Sequence, residues 1–159
     1  MKAHTLHEIQ QELRAIDAPE LRELCIRLAK HKKENKELLS YLLFEKNDER
    51  EYIEKVKSSL DDLFSSINRM SAWTTKKGLQ KVVRHLNKFI KSSGKKESEL
   101  EMRLYFCKKV RSQRIDLSSS SVINNIYYRE TEKIKTIFTK LHEDLQLDYR
   151  GQLEELTIV

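Results

Sequence analysis

Glycine and proline are almost missing from this sequence, which has three glycines and one proline in 159 residues. Turns rely on these two residue types because glycine reaches backbone conformations that other residues avoid and proline fixes φ. A fold with many strands needs many such turns. The sequence therefore predicts a small number of long helices, and we expect an all-α fold without a strand of consequence.

The bulk composition agrees with thin helical layers around a modest core. Charged residues make up 35% of the chain and apolar residues 38%, as expected where each helix keeps a wide face in water. The length suits one domain, so we expect a single all-helical domain over residues 1–159. No apolar run is long enough to span a membrane, and the first sixteen residues lack the apolar stretch of a secretory signal. Cys25 and Cys107 lie in apolar helical patterns and predict free buried thiols in a reducing cytoplasm.

Apolar spacing and capping residues predict the helix boundaries. We expect helices over about 3–15, from an Asp17 cap to about 31, over 34–46, from an Asn47-Asp48 cap to about 70, and over 75–91, 97–113, 121–146 and 148–157. Thr74 or Thr75 is the expected cap of the fifth helix, and Gly94 is placed for a left-handed residue after its end. Trp73 is expected to fill a gap between helices.

The first three predicted helices carry apolar stripes that we expect to face a core. Those stripes are Leu6, Ile9, Leu13 and Ile16, then Leu21, Leu24, Cys25 and Leu28, then Leu38, Leu39, Leu42, Leu43 and Phe44.

A weak internal repeat is visible in the leucine spacing. Leu28-x-Lys30 followed by Leu38, Leu42 and Phe44 is echoed by Leu86-x-Lys88 followed by Leu100, Leu104 and Phe106, and more faintly by Leu141, Leu153 and Leu156. Stacked two-helix units give such a signal. In this respect the chain resembles the HEAT and armadillo class of α-solenoids. The resemblance implies binding of another macromolecule across a concave surface, and a compact helical bundle is the alternative fold.

Positive charge is concentrated in the middle of the chain. Residues 74–114 hold 13 basic and 3 acidic side chains, against a net charge of +6 for the whole sequence. Within them Lys77, Lys81, Arg84, Lys88 and Lys91 recur at spacings of four and three, which places them within about 80° of one helix face over about 21 Å. The fifth predicted helix therefore has a basic face opposite an apolar one.

Three interpretations of this basic face stay open. A charged helix face is usually only solvated. A row of lysines and arginines also suits the phosphates of a nucleic acid, although no recognition motif accompanies it. An acidic protein or an anionic membrane would bind it as well.

No arrangement of residues in the sequence predicts a reaction. His4 and His7 lack further metal ligands nearby, and the carboxylate pairs Glu20/Glu23, Asp61/Asp62, Glu130/Glu132 and Glu154/Glu155 all lie in polar stretches that predict solvated faces. There is no glycine-rich phosphate loop. We therefore expect no catalytic residues, cofactor or metal, and we predict a non-enzymatic helical interaction or scaffold module with an unidentified protein partner. The alternative is a non-specific nucleic-acid-binding accessory protein that uses residues 76–96, and the sequence leaves the oligomeric state open.

Overall fold

The computed structural model describes residues 2–156, and the regular structure of that part of the chain is helical, with no strand. The helices are α1 (Leu6–Ala15), α2 (Ala18–His31), α3 (Lys33–Ser40), α4 (Glu49–Ser65), α5 (Ala72–Ser93), α6 (Lys96–Ser112), α7 (Ser121–Phe138) and α8 (Glu143–Glu155), with a π-helical turn at Tyr41–Glu45 and a 3₁₀ turn at Leu117–Ser119. Neighbours in sequence pack as pairs: α2 with α3, α4 with α5, and α6 with α7. The predicted all-α class is confirmed.

The capping residues act largely as predicted. Asp17 accepts a hydrogen bond from the backbone N–H of Glu20 at 2.8 Å, and Asp48 accepts one from that of Glu51 at 2.9 Å. Gly94 ends α5 with φ of 67°, in the left-handed region where glycine has no Cβ penalty. These short-range hydrogen bonds define where α2 and α4 begin and where α5 ends.

Three predicted boundaries are wrong. Helix α4 ends at Ser65, about five residues earlier than predicted. Helix α5 begins three residues early because Ser71, not Thr74 or Thr75, is its cap, and Ser71 and Thr74 form a reciprocal capping box. The long helix predicted over 121–146 is two helices, α7 and α8. Between them the N–H of Lys140 turns back to the carbonyl of Ile137 and His142 caps α8, and such local bonds compete with helix continuation.

By its internal contacts the chain divides into two compact units, Met1–Phe44 and Glu45–Val159. We call them the N-terminal unit and the C-terminal unit. A single domain over residues 1–159 stays a prediction.

The C-terminal unit contains the hydrophobic core. Helix α5 packs against α4, α6 and α7, and α6 buries apolar residues around much of its circumference, as its sequence predicted. The fully buried apolar side chains include Leu60, Phe64, Leu79, Val82, Leu86, Leu100, Met102, Phe106, Ile123 and Ile134. The rings of Phe64 and Phe106 lie 5.6 Å apart, a favourable aromatic contact that joins α4 to α6.

One carboxylate that was predicted to be solvated is buried. Glu130 of α7 is 2% exposed and binds Arg103 of α6, while Lys133 donates to its other oxygen at 2.7 Å. Arg103 in turn donates to Glu99 at 2.6 and 2.8 Å. The network joins α6 to α7. The burial of Glu130 is explained by these partners, because a buried charge needs opposite charges and hydrogen bonds around it.

The N-terminal unit differs from the prediction in its apolar stripes. Ten large apolar side chains that lie in it remain exposed, among them Leu6 at 71%, Leu28 at 60% and Phe44 at 77%. The others are Ile9, Leu13, Leu21, Ile26, Leu38, Leu42 and Leu43. Three short helices offer each other too little surface to cover all their apolar faces, so the inward placement predicted for most of these residues is wrong.

Candidate interaction surfaces

Helix α5 presents the predicted basic face opposite its buried one. We call Lys77, Lys81, Arg84, Lys88 and Lys91 the basic row. The buried side of α5 consists of Leu79, Val82, Leu86 and Ile90 together with Thr75 near its start. Since a helix advances 100° per residue, anchoring that apolar stripe in the core turns the basic row away from it.

Four members of the basic row are exposed cations, namely Lys77, Lys81, Arg84 and Lys91. None of them forms an ion pair with another residue in the range 2–156. Asp61 of the neighbouring α4 binds Lys109 at 2.8 Å. Lys88 departs from the prediction, because it is half-buried and engages a neighbouring group.

Lys77 lies over the ring of Trp73, with its Nζ 3.6 Å from the ring centroid. Trp73 is 57% exposed, so the prediction that it fills a gap between helices is wrong. An indole at a helix start, four residues before a lysine, shares a face with that lysine. The pair forms a cation–π contact and places an exposed aromatic plane beside the first cation of the row.

Most of the basic residues that lie near the basic row in sequence interact with acidic residues of this protein. Arg103 is buried with Glu99 and Glu130, Lys108 lies 3.5 Å from Glu155, and Lys95 lies 3.0 Å from Glu49. Of the other basic residues close to the basic row, Lys96 is exposed and Lys76 is half-exposed.

An open groove beside the basic row adds a cation that the sequence did not indicate. It has a volume of about 520 Å³ and is lined by Gln80, Val83 and Arg84 of α5 and Val122, Asn125, Ile126 and Arg129 of α7. Arg129 is exposed and shares this groove with Arg84. No local pattern links residues 45 positions apart, so only the packing of α5 on α7 places them on one surface.

A second cavity in the C-terminal unit is polar, with a volume of about 370 Å³. Lys57 and Tyr149 are among its lining residues. Burial lowers the pKa of Lys57, but hydrogen bonds to Glu101 at 2.6 Å and Glu54 at 2.7 Å outweigh burial and raise it. Burial is the main cause that raises the pKa of Tyr149 to about 12. At neutral pH the lysine therefore stays charged and the tyrosine stays neutral, so neither acts as a base there.

Histidine and cysteine form no metal centre in the described part of the chain, where no group of three potential ligands occurs. His4 and His7 each interact with a residue four positions on, Glu8 and Gln11. Cys107 is a free buried thiol, and burial raises its pKa to about 12, which keeps it from acting as a nucleophile.

The exposed apolar residues of α1, α2 and α3 form the second candidate surface, which we call the apolar faces. Along α1 they are Leu6, Ile9 and Leu13, spaced three and four residues apart, so they share one side of the helix. Exposed apolar stripes of this kind commonly mark protein contacts.

Comparison with protein-family models, with curated proteins and with solved structures gives no match to this chain. Within residues 2–156, no helix has the length and apolar character needed to cross a membrane.

Proposed function

We propose that this chain is a non-enzymatic helical interaction module that binds another macromolecule, in the first place a protein. The observation that carries the proposal is the set of apolar faces on α1, α2 and α3, whose side chains are 38–71% exposed. Keeping leucine and isoleucine in water costs free energy, and a bound partner would remove that cost. The likeness to HEAT and armadillo repeats supports the same class of function, since stacked helix pairs of that class present extended binding surfaces.

Affinity capture from the source cells tests this proposal with two matched variants. Leu6→Gln/Ile9→Gln changes exposed apolar residues on α1, and Met70→Gln/Leu147→Gln changes exposed apolar residues of the C-terminal unit. We expect a defined partner to be retained by the wild type and by the second variant and to be recovered several-fold less with the first. Equal recovery by all three proteins, or no partner at all, would contradict the proposal.

A second candidate function is non-specific binding of a nucleic-acid backbone through the basic row. Four exposed cations without ion pairs and the nearby Arg129 favour it, because lysines and arginines that contact phosphates release the counterions condensed on the nucleic acid. The exposed ring of Trp73 adds a surface on which a base can stack. No base-reading motif is present, so the expected binding is insensitive to sequence.

Electrophoretic mobility shifts of DNA and RNA test the second candidate. Three to five phosphate contacts predict an affinity loss of about 40- to 500-fold between 50 and 200 mM salt. The variant Lys81→Glu/Arg84→Glu/Lys91→Glu should abolish binding. The matched control, Lys46→Glu/Lys140→Glu/Arg150→Glu, removes exposed cations elsewhere with the same change of net charge and should bind within a few-fold of the wild type. Binding that ignores salt, or that is lost equally in both variants, would exclude the basic row.

We further propose that the protein works in a reducing compartment, the cytoplasm. Cys25 and Cys107 are both free thiols, and free thiols are typical of proteins that are kept away from oxidising compartments.

A further inference from the structure

We propose that the groove shared by Arg84 and Arg129, which we call the α5/α7 groove, binds an acidic amphipathic helix of a partner protein. The inference goes beyond the proposed function, because that function rests on the apolar faces of the N-terminal unit and this groove lies in the C-terminal unit. Its basis is that one groove is lined both by arginines without counterions and by apolar side chains that α5 and α7 leave partly uncovered.

Both walls of the α5/α7 groove are helical stripes. The α5 wall consists of residues 80, 83 and 84, and the α7 wall consists of residues 122, 125, 126 and 129. Spacings of three and four place each set within about 100° of arc on its helix, and the α7 wall runs for about 10 Å, or two turns. Because α5 and α7 pack on each other, the channel between their stripes has a shape that accepts the side chains of a third helix.

Apolar and cationic side chains share the walls of the groove. On α7, Val122, Ile126 and Arg129 fall within about 60° of arc. On α5, Val83 is adjacent to Arg84, and both line the groove. Val122 is 38% exposed, while Val83 and Ile126 are half-buried. An apolar side chain of the occupant would cover the part of these three residues that still faces water.

Each wall contributes one arginine that the chain leaves without a counterion. Arg84 and Arg129 are exposed and form no ion pair within residues 2–156. Helix α5 contains no acidic residue, and Glu130 and Glu132 of α7 pair with other cations. A guanidinium group binds a carboxylate in bidentate geometry. One arginine on each wall therefore selects an occupant with carboxylates on both sides of its apolar residue.

The apolar lining favours a protein over a nucleic acid in this groove. A nucleic-acid backbone offers phosphates and sugars but no apolar side chain to cover Val83, Val122 and Ile126, whereas an acidic amphipathic helix supplies both carboxylates and apolar residues. Other cations of the basic row lie outside the groove: Lys81 is about 160° around α5 from Val83, and Lys91 is about 12 Å further along the helix. The two kinds of partner are therefore separable by mutation.

Fluorescence anisotropy of a labelled synthetic helix tests the proposal on the full chain. The probe is a peptide of about 14 residues, or four turns, whose leucines recur at spacings of three and four and are flanked on both sides by glutamates. In its analogue every glutamate is replaced by glutamine. We expect the wild type to bind the glutamate peptide at micromolar concentration and the analogue about 10-fold or more weakly, because the arginines lose their carboxylates.

Charge reversal in the groove should reverse this preference. Arg84→Glu/Arg129→Glu should bind the glutamate peptide about 10-fold or more weakly and should bind a lysine version of the peptide that the wild type does not bind. The gain also controls for misfolding, because an unfolded variant gains no ligand. Lys81→Glu/Lys91→Glu makes the same change of net charge outside the groove and should bind the glutamate peptide within a few-fold of the wild type. Val122→Gln should weaken binding several-fold, because it removes apolar lining.

No binding of the glutamate peptide at about 500 µM, equal weakening by the two charge-reversal variants, or failure of the lysine peptide to bind the groove variant would overturn the proposal. An oligonucleotide that binds as tightly as the peptide and loses affinity with Val122→Gln would assign the groove to a nucleic acid instead. Self-association of the wild type that Arg84→Glu/Arg129→Glu abolishes would assign it to a second copy of the chain. None of these results touches the capture experiment on α1, so the failure of one proposal is distinguishable from the failure of the other.

Discussion

At the scale of single residues, Gly78 shows how tertiary packing restricts a helix position. A Cβ added to Gly78 would lie 2.8 Å from Cγ2 and 2.9 Å from Cγ1 of Ile67. Ile67 is buried and β-branched, so its side chain has little freedom to move away. Helix α5 therefore passes the segment before it at a distance that only glycine permits.

The close approach of Gly78 to Ile67 predicts that a larger residue at position 78 lowers the stability of the protein. Gly78→Ala should destabilise the protein by about 1–2 kcal/mol, since the clash outweighs the better helix propensity of alanine. Gly151 is the matched control: it lies inside α8 with no atom within 4 Å of an added Cβ, so Gly151→Ala should stabilise by about 0.5–1 kcal/mol. Thermal unfolding of the two variants checks this pair of effects. A stabilised Gly78→Ala protein would show that the contact with Ile67 is not tight.

At the scale of elements, the start of α1 depends on one ionisable capping residue. Glu8 accepts hydrogen bonds from the backbone N–H of Thr5 at 2.7 Å and from its hydroxyl at 2.8 Å, while the Thr5 hydroxyl accepts one from the N–H of Glu8. The bond from the Thr5 backbone is the main cause that lowers the pKa of Glu8 below 4.5. The charged carboxylate thus stabilises the first turn of α1.

The direction of this pKa shift predicts the pH response of α1. A lowered pKa means that the stabilisation is fully present above about pH 4.5 and is lost as the pH falls through the lowered value. Amide hydrogen exchange in α1 should therefore be faster at pH 3 than the intrinsic exchange rate at that pH accounts for. In Glu8→Gln this extra acceleration should be absent, while Glu12→Gln should behave like the wild type. Persistence of the effect in Glu8→Gln would assign it to another group.

At the scale of the whole molecule, the two units differ in how much of their apolar surface is covered. Of the fifteen large apolar side chains that are exposed within residues 2–156, ten belong to the N-terminal unit. The C-terminal unit, by contrast, contains nearly all of the fully buried residues.

The sequence by itself determined the helical class, the caps at Asp17 and Asp48, the left-handed end of α5 at Gly94 and the single-sided placement of the basic row. Each of these depends on interactions that span no more than about four residues. Residues that are close together in sequence are therefore sufficient to predict these four features.

Only the tertiary structure decided which helix faces are covered. The stripes of Leu6 and Leu28 have the same spacing as stripes that α4 and α5 bury, yet they remain in water because no helix of their own unit covers them. Glu130 is buried although its neighbours in sequence are polar, since Arg103 of another helix neutralises it. Arg84 and Arg129 share a groove because α5 packs on α7. Burial and pairing depend on residues distant in sequence, and the local pattern carries no information about them.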